Sequence, residues 1–210
     1  MIQSPESKLI VKVKSKYISN FSDIMRIASL ENNTSVHLED LVNITAEVVS
    51  LPRTISKQKH YEGFSTKDIK VGDTIIMSFA VIYDHIVKDA YEAPLYKNLI
   101  KYKGDEFWSA DIRLIFGVIK EDEVQMVNGY IMATLYLEDK IFIQQTSQKD
   151  KKSKVSEIMH YGNPKTNSIK QNFKQGDNIH FNPMKTQKYQ INGKHFIILQ
   201  QDKVLGISKK

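Results

Sequence analysis

The sequence predicts an all-β protein made of two small β-barrels in tandem, with short helical or loop insertions. Three observations predict it. Short runs rich in Val, Ile, Tyr and Phe are broken by Gly, Asn, Asp and Lys, the punctuation of strands and turns. Helical periodicity is scarce. Three blocks of residues recur in the same order in the two halves of the 210-residue chain, which is how a repeated structural unit reads in sequence.

Strands are expected at 9–13, 44–49, 74–81, 107–112, 131–136, 140–144, 155–161, 178–181 and 195–200. Helices are expected only at 22–30 and 90–101. The longest repeat lays 104–120 on 193–209 without a gap. Gly104 meets Gly193, Phe107 meets Phe196, Gly117 meets Gly206, and Lys120 meets Lys209. Ile115-Phe116 and Val204-Leu205 fill the same apolar places. Upstream, 69–75 matches 173–179, and 46–53 resembles 156–165 with one or two extra residues in the second copy.

Each block has a physical reading. Gly72-Asp73 and Gly176-Asp177 follow an approach containing lysine and read as tight turns. Glycine supplies the backbone shape, and the aspartate bonds its own turn. Asn192-Gly193 is a two-residue hairpin signal, and Lys103-Gly104-Asp105 plays its part in the first copy. Gly117 and Gly206 sit inside apolar strands and read as a bulge or a bend at a barrel corner. Trp108 lies on a strand in alternation and is expected in the core. The expected units are 1–122 and 123–210, separately packed. The first carries a long loop at 18–43 and an insertion at 80–101 containing Tyr83, Tyr91, Pro94 and Tyr96. Residues 120–124, Lys-Glu-Asp-Glu-Val, read as an exposed connector.

Composition narrows the function classes. Hydrophobic residues make up 41% of the chain, enough for a core, and there is no cysteine, so neither a disulfide framework nor a thiolate metal site is expected. No apolar run approaches the ~18 residues of a membrane span. The first residues lack the basic and apolar blocks of a secretory signal. A cytoplasmic protein is expected, with a virion as the alternative location. Charge is uneven. Residues 1–139 carry 16 Lys+Arg against 20 Asp+Glu, a net of −4, and 140–210 carry 14 against 4, a net of +10. The basic half is either a solvated face or a surface for an acidic partner.

Catalytic constellations are absent from the pattern. His37, His60, His85, His160, His180 and His195 are scattered without zinc-ligand spacing. No glycine loop for phosphate is present, and Asp122 and Glu123 read as a solvated pair. The expectation is a protein that is not an enzyme, with no metal and no cofactor. Lysines of the second half alternate with Tyr161, Phe181 and Tyr189, a combination that small oligonucleotide-binding barrels use for stacking and phosphate contact. The other reading is that these aromatics fill the barrel.

The repeated blocks also carry a family resemblance. Residues 173–181, Phe-Lys-Gln-Gly-Asp-Asn-Ile-His-Phe, and 189–207, from Tyr189 to Ile207, resemble the C-terminal half of GroES-type co-chaperonins. That family has a V-K-x-G-D-x-V-x-F turn and strand, followed by I-D-G-x-x-Y-x-I-L-x-x-x-D-I-L-A-I. Gly206 stands where the family usually has Ala. Residues 156–164 are similar to its G-E-V-V-A-V-G-x-G strand, and 8–14 to its first strand.

The resemblance implies two GroES-like barrels and a co-chaperonin function, assisting protein folding by capping a GroEL-like chaperonin ring as a homo-oligomer. The family docks through a mobile loop, with an aliphatic triplet, between its first two conserved strands. By resemblance, Ile24, Met25 and Ile27 form the docking tip, with Ile141, Phe142 and Ile143 second. The loop 18–43 has no glycine, unlike the family's, and 80–101 has no family counterpart. Two further readings stand beside this one. One is a structural assembly protein, such as a phage virion component, that reuses the barrel among phage structural proteins. The other is an oligonucleotide-binding module.

Overall fold

The computed structural model describes residues 2–15, 43–83, 85–86, 95–121, 123–135, 154–163, 165, 172–182, 186–191 and 194–209. Its strands form two large sheets and a two-stranded ribbon. The first sheet is built from β1 (Lys8–Lys12), β2 (Thr45–Ser50), β3 (Thr74–Met77), β6 (Leu99–Tyr102), β7 (Asp105–Asp111), β8 (Ile115–Lys120) and β9 (Glu123–Met126). Its order is β6-β7-β1-β2-β3-β8-β9. The second is built from β10 (Tyr130–Thr134), β11 (Lys154–Tyr161), β12 (Asn178–Phe181), β13 (Gln187–Ile191), β14 (Lys194–Gln200) and β15 (Val204–Ser208), in the order β13-β14-β10-β11-β12-β15. The ribbon pairs β4 (His85–Ile86) with β5 (Leu95–Tyr96).

Apart from β9, the two sheets have one topology, and it holds to the residue. β7 runs into a 3-10 turn at Ile112–Leu114 and then β8; β14 runs into a 3-10 turn at Gln201–Lys203 and then β15. Both turns are tied the same way. Ile112 donates its N–H to the Ser7 carbonyl at 2.9 Å, and Gln201 donates to the Gly129 carbonyl at 2.8 Å. The β1–β2 ladder slips between Ile10 and Val11, and the β10–β11 ladder slips between Met132 and Ala133. A second pair of slips lies at Ile76/Met77 against β8 and at His180/Phe181 against β15. Bulges bend a strand and raise its twist, so both sheets curl at the same two places.

The Gly-Asp turns recur in the same way. Gly72 and Gly176 have φ of 89° and 88°, the left-handed region that favours glycine. The Asp73 carboxylate accepts the Lys70 N–H at 2.8 Å, and that of Asp177 accepts the Lys174 N–H at 3.0 Å. In the first hairpin Tyr102 pairs with Asp105 across Lys103 (φ 52°) and Gly104 (φ 87°). In the second, Ile191 pairs with Lys194.

Three expectations need correction. The helix expected at 90–101 is strand over its described part. β5 and β6 lie there, and Leu99 and Ile100 pair with Trp108 and Phe107 of β7. Pairing to a buried strand outweighs a weak helical pattern. The strand expected at 74–81 ends at Met77 and passes into a short helix, α1 (Ala80–Tyr83). The connector at 120–124 is a hairpin, since Lys120 pairs with Glu123 and β9 joins the first sheet. The helix expected at 22–30 and the strand at 140–144 lie outside the described residues. Trp108 is buried, as its alternation predicts.

Nor are the two interiors fully separate. Strand alternation sends successive side chains to opposite faces, and the second sheet uses both faces for burial. Ile131, Ala133, Ile197 and Leu199 face its own core with Ile158, Phe173, Ile179 and Phe181. Their neighbours Tyr130, Met132, Phe196 and Ile198 face the other way and join Tyr189 in the core of the first unit.

Candidate partner-binding site

In both units the connection between the first two strands is far longer than the 2–5 residues a hairpin needs. It spans 13–44 between β1 and β2, and 135–153 between β10 and β11. The two connections rise from equivalent bases. Lys12 pairs with Glu47 at the first. At the second, the Thr134 hydroxyl oxygen accepts the Glu157 N–H at 3.2 Å. Asn43 starts β2, its side-chain carbonyl accepting the N–H and the hydroxyl of Thr45 at 2.9 and 2.8 Å. The expected docking residues Ile24, Met25 and Ile27 belong to the first connection, and Ile141, Phe142 and Ile143 to the second; all six lie outside the described residues.

Between the units lies a packed joint that the sequence reading missed. Phe116 stands edge-on to Tyr130 and Tyr189, with ring centroids 4.8 and 5.2 Å apart, and Phe79 lies 6.3 Å from Tyr189. The Tyr130 hydroxyl donates to the Arg113 carbonyl across the joint. Burial pushes the Tyr130 phenol up to about 12 and raises that of Tyr189 as well, so both stay protonated. Around the rim, the Asn128 side-chain oxygen accepts the Ser65 N–H at 3.0 Å, and the Lys165 ammonium sits 4.3 Å over the Phe64 ring. The available signal was Phe116 itself, a second consecutive apolar residue where alternation calls for one.

Arg113 is fixed from its own side. Asp111 accepts the Arg113 backbone N–H, its Nε and its Nη2, each at 2.9 Å, and the Tyr61 hydroxyl at 2.7 Å. Burial alone would raise the Asp111 pKa, but these hydrogen bonds and the guanidinium charge outweigh it and hold the carboxyl below its usual range.

A cleft of about 580 Å³ opens between β8–β9 and β11, lined by Lys120, Glu123, Gln125, His160 and Tyr161 among others. Burial lowers the His160 pKa, opposed by the Glu123 charge. Among the described residues no His, Cys, Asp or Glu cluster is placed to hold a metal, and no helix is long and apolar enough to cross a membrane. Of the three aromatics considered for stacking on nucleic acid, Phe181 and Tyr189 are buried and only Tyr161, 46% exposed, is open.

Residues 137–208 match the family model of the chaperonin 10 kDa subunit. The match opens just before Ile141 and runs through β11 to β15. Over those residues the chain is similar to the GroES-type co-chaperonins. No curated protein matches the sequence.

Proposed function

We propose that the protein is a GroES-like co-chaperonin of two barrels per chain that caps a chaperonin ring. The observation that supports this most is the chaperonin 10 match, because it takes in part of the long β10–β11 connection as well as β11 to β15. The first sheet repeats the second strand for strand and carries its own long connection at the equivalent place. Each chain then offers two apolar tips, Ile24-Met25 with Ile27, and Ile141-Phe142-Ile143. Tethered tips bind at high effective concentration, so weak single contacts suffice.

Capture of the chain on an immobilised chaperonin ring with nucleotide tests this. Paired Ile24→Asp and Ile27→Asp substitutions, and separately Ile141→Asp and Ile143→Asp, are expected to reduce capture at least tenfold when combined. Unchanged capture removes the docking assignment. The oligonucleotide reading predicts retention on single-stranded DNA that falls steeply with salt, and burial of Phe181 and Tyr189 counts against it.

A further inference from the structure

The cleft between the units is lined from both sides by polar groups that the fold does not use. Lys120, Glu121, Glu123 and Gln125 come from the β8–β9 hairpin, and His160 and Tyr161 from β11, with Gln175 beside them. Lys120 is engaged. Its ammonium donates to the Asp68 carbonyl at 3.4 Å and lies 3.8 Å from the Asp73 carboxylate. The rest are not. Among the described residues the side chains of Glu121, Glu123, Gln125, His160, Tyr161 and Gln175 make no hydrogen bond and no ion pair.

Backbone joins them. Lys120 pairs with Glu123 across a two-residue turn, and the Val127 N–H donates to the Phe116 carbonyl at 2.8 Å. An antiparallel ladder bonds at every second pair. Gln125 therefore bonds to Val118, and the N–H and C=O of Val124 and Met126 turn away from β8. On that side the Met126 carbonyl is covered by Gly162, where a Cβ would lie 2.5 Å from its oxygen. Val124 lines the cleft instead. β9 thus offers one residue of free strand edge inside it.

The side chains say what a segment added there would carry. With Lys120 held by Asp68 and Asp73, the free charges of the cleft are the Glu121 and Glu123 carboxylates, in a chain whose net charge is +6. Beside them the Tyr161 ring is 46% exposed. Carboxylates and the face of an aromatic ring both attract an ammonium. Val124 and Met159 supply half-buried apolar wall for an aliphatic stem. The volume of about 580 Å³ is that of a small ligand site, enough for a few residues of chain.

We propose that this cleft binds an extended peptide segment of a partner protein through one lysine residue, whose main-chain amide pairs with Val124 and whose ammonium lies between Glu123 and the Tyr161 ring. The pairing is strand addition to a sheet edge, limited to one residue because Gly162 covers the edge beyond Val124. Charge complementarity selects the lysine. Both units line the cleft, so a bound segment touches both and favours their packed arrangement by mass action. The proposal does not rest on the co-chaperonin reading, and its test contains no chaperonin.

Calorimetric titration of the full chain with three probes tests it. The capped peptide acetyl-Ala-Lys-Ala-amide is expected to bind saturably. Its norleucine analogue, which lacks the ammonium, and cadaverine, which lacks the amide, are each expected to bind about tenfold more weakly. Glu123→Gln should weaken binding of the lysine peptide about tenfold. Tyr161→Ala should weaken it about threefold, and Tyr161→Phe should restore it, because the ring face is kept. Glu106→Gln, at a carboxylate of the first unit outside the cleft, is expected to change nothing. Circular dichroism is expected to be the same for all four variants, whose substituted side chains lie at the surface. No binding of the lysine peptide, equal binding of the norleucine peptide, or equal weakening by Glu106→Gln overturns the proposal. Cadaverine binding as tightly as the peptide makes the cleft a site for free amines and also overturns it.

Discussion

Phe116 and Leu205 occupy one position of the repeated strand and are expected to respond unequally to mutation. Phe116 is 5% exposed and contacts Tyr130 and Tyr189 edge-on. Truncating a buried phenylalanine to alanine costs about 3–5 kcal/mol through lost transfer energy and the cavity left behind. Each aromatic pair accounts for about 0.5–1.5 kcal/mol of such a loss. Leu205 is 70% exposed, and a surface change of that kind stays within about 0.5 kcal/mol in the dissociated chain. Urea unfolding at low protein concentration measures both. Trp108, the single tryptophan, is buried in the first unit and reports it by fluorescence, while circular dichroism reports both sheets. Phe116→Ala is expected to lose about 3–5 kcal/mol and to separate the two transitions, because it removes the joint. Leu205→Ala should leave both in place. A loss below about 1 kcal/mol for Phe116→Ala, well under the usual cost of such a truncation, would refute the packed joint.

Other substitutions test the same framework. A Cβ at Gly162 would lie 2.5 Å from the Met126 carbonyl oxygen and 2.7 Å from its carbon, so Gly162→Ala should cost about 1–3 kcal/mol by overpacking; Gly206→Ala, with open space around it, should cost little, as denaturant midpoints would show. Asp111→Asn removes hydrogen bonds to a charged group and should cost about 1.5–3 kcal/mol at neutral pH. Because the folded carboxyl titrates below its unfolded value, that advantage is full above the unfolded pKa and disappears as pH falls through the folded one, so wild type and variant should converge in acid. His160 acts in the same sense at higher pH: its folded pKa is lowered by burial, so the unfolded chain takes up the proton first and stability falls as pH drops below about 6.5. His160→Gln should flatten that slope in pH-dependent melting, and an unchanged slope would place its origin elsewhere.

The repeat was legible where backbone chemistry dictates residue type. The Gly-Asp turns need glycine at positive φ and a carboxylate that caps its own turn, so both copies keep those letters and the blocks align in the folded chain as they do in sequence. The first strands were not matched, because Lys8–Lys12 and Tyr130–Thr134 share only a short apolar run, and such a run does not distinguish one strand from another. β6 read as helix since its strand character comes from pairing to β7. The joint was hidden for a related reason. Tyr130, Met132, Phe196 and Ile198 make continuous apolar runs with their inward neighbours, and such runs mark burial on both faces without naming what covers the second. The candidate tips rest on the family resemblance. The structure adds that the segments carrying them join equivalent strands in both sheets.

Native mass measurement of the chain mixed with a chaperonin ring, with and without ATP, tests the central claim most directly. The account predicts a nucleotide-dependent complex of one chaperonin ring with a closed assembly of this chain, lost on substituting aspartate at Ile24, Ile27, Ile141 and Ile143. A chain that assembles normally and forms no complex with the ring under either condition would contradict it.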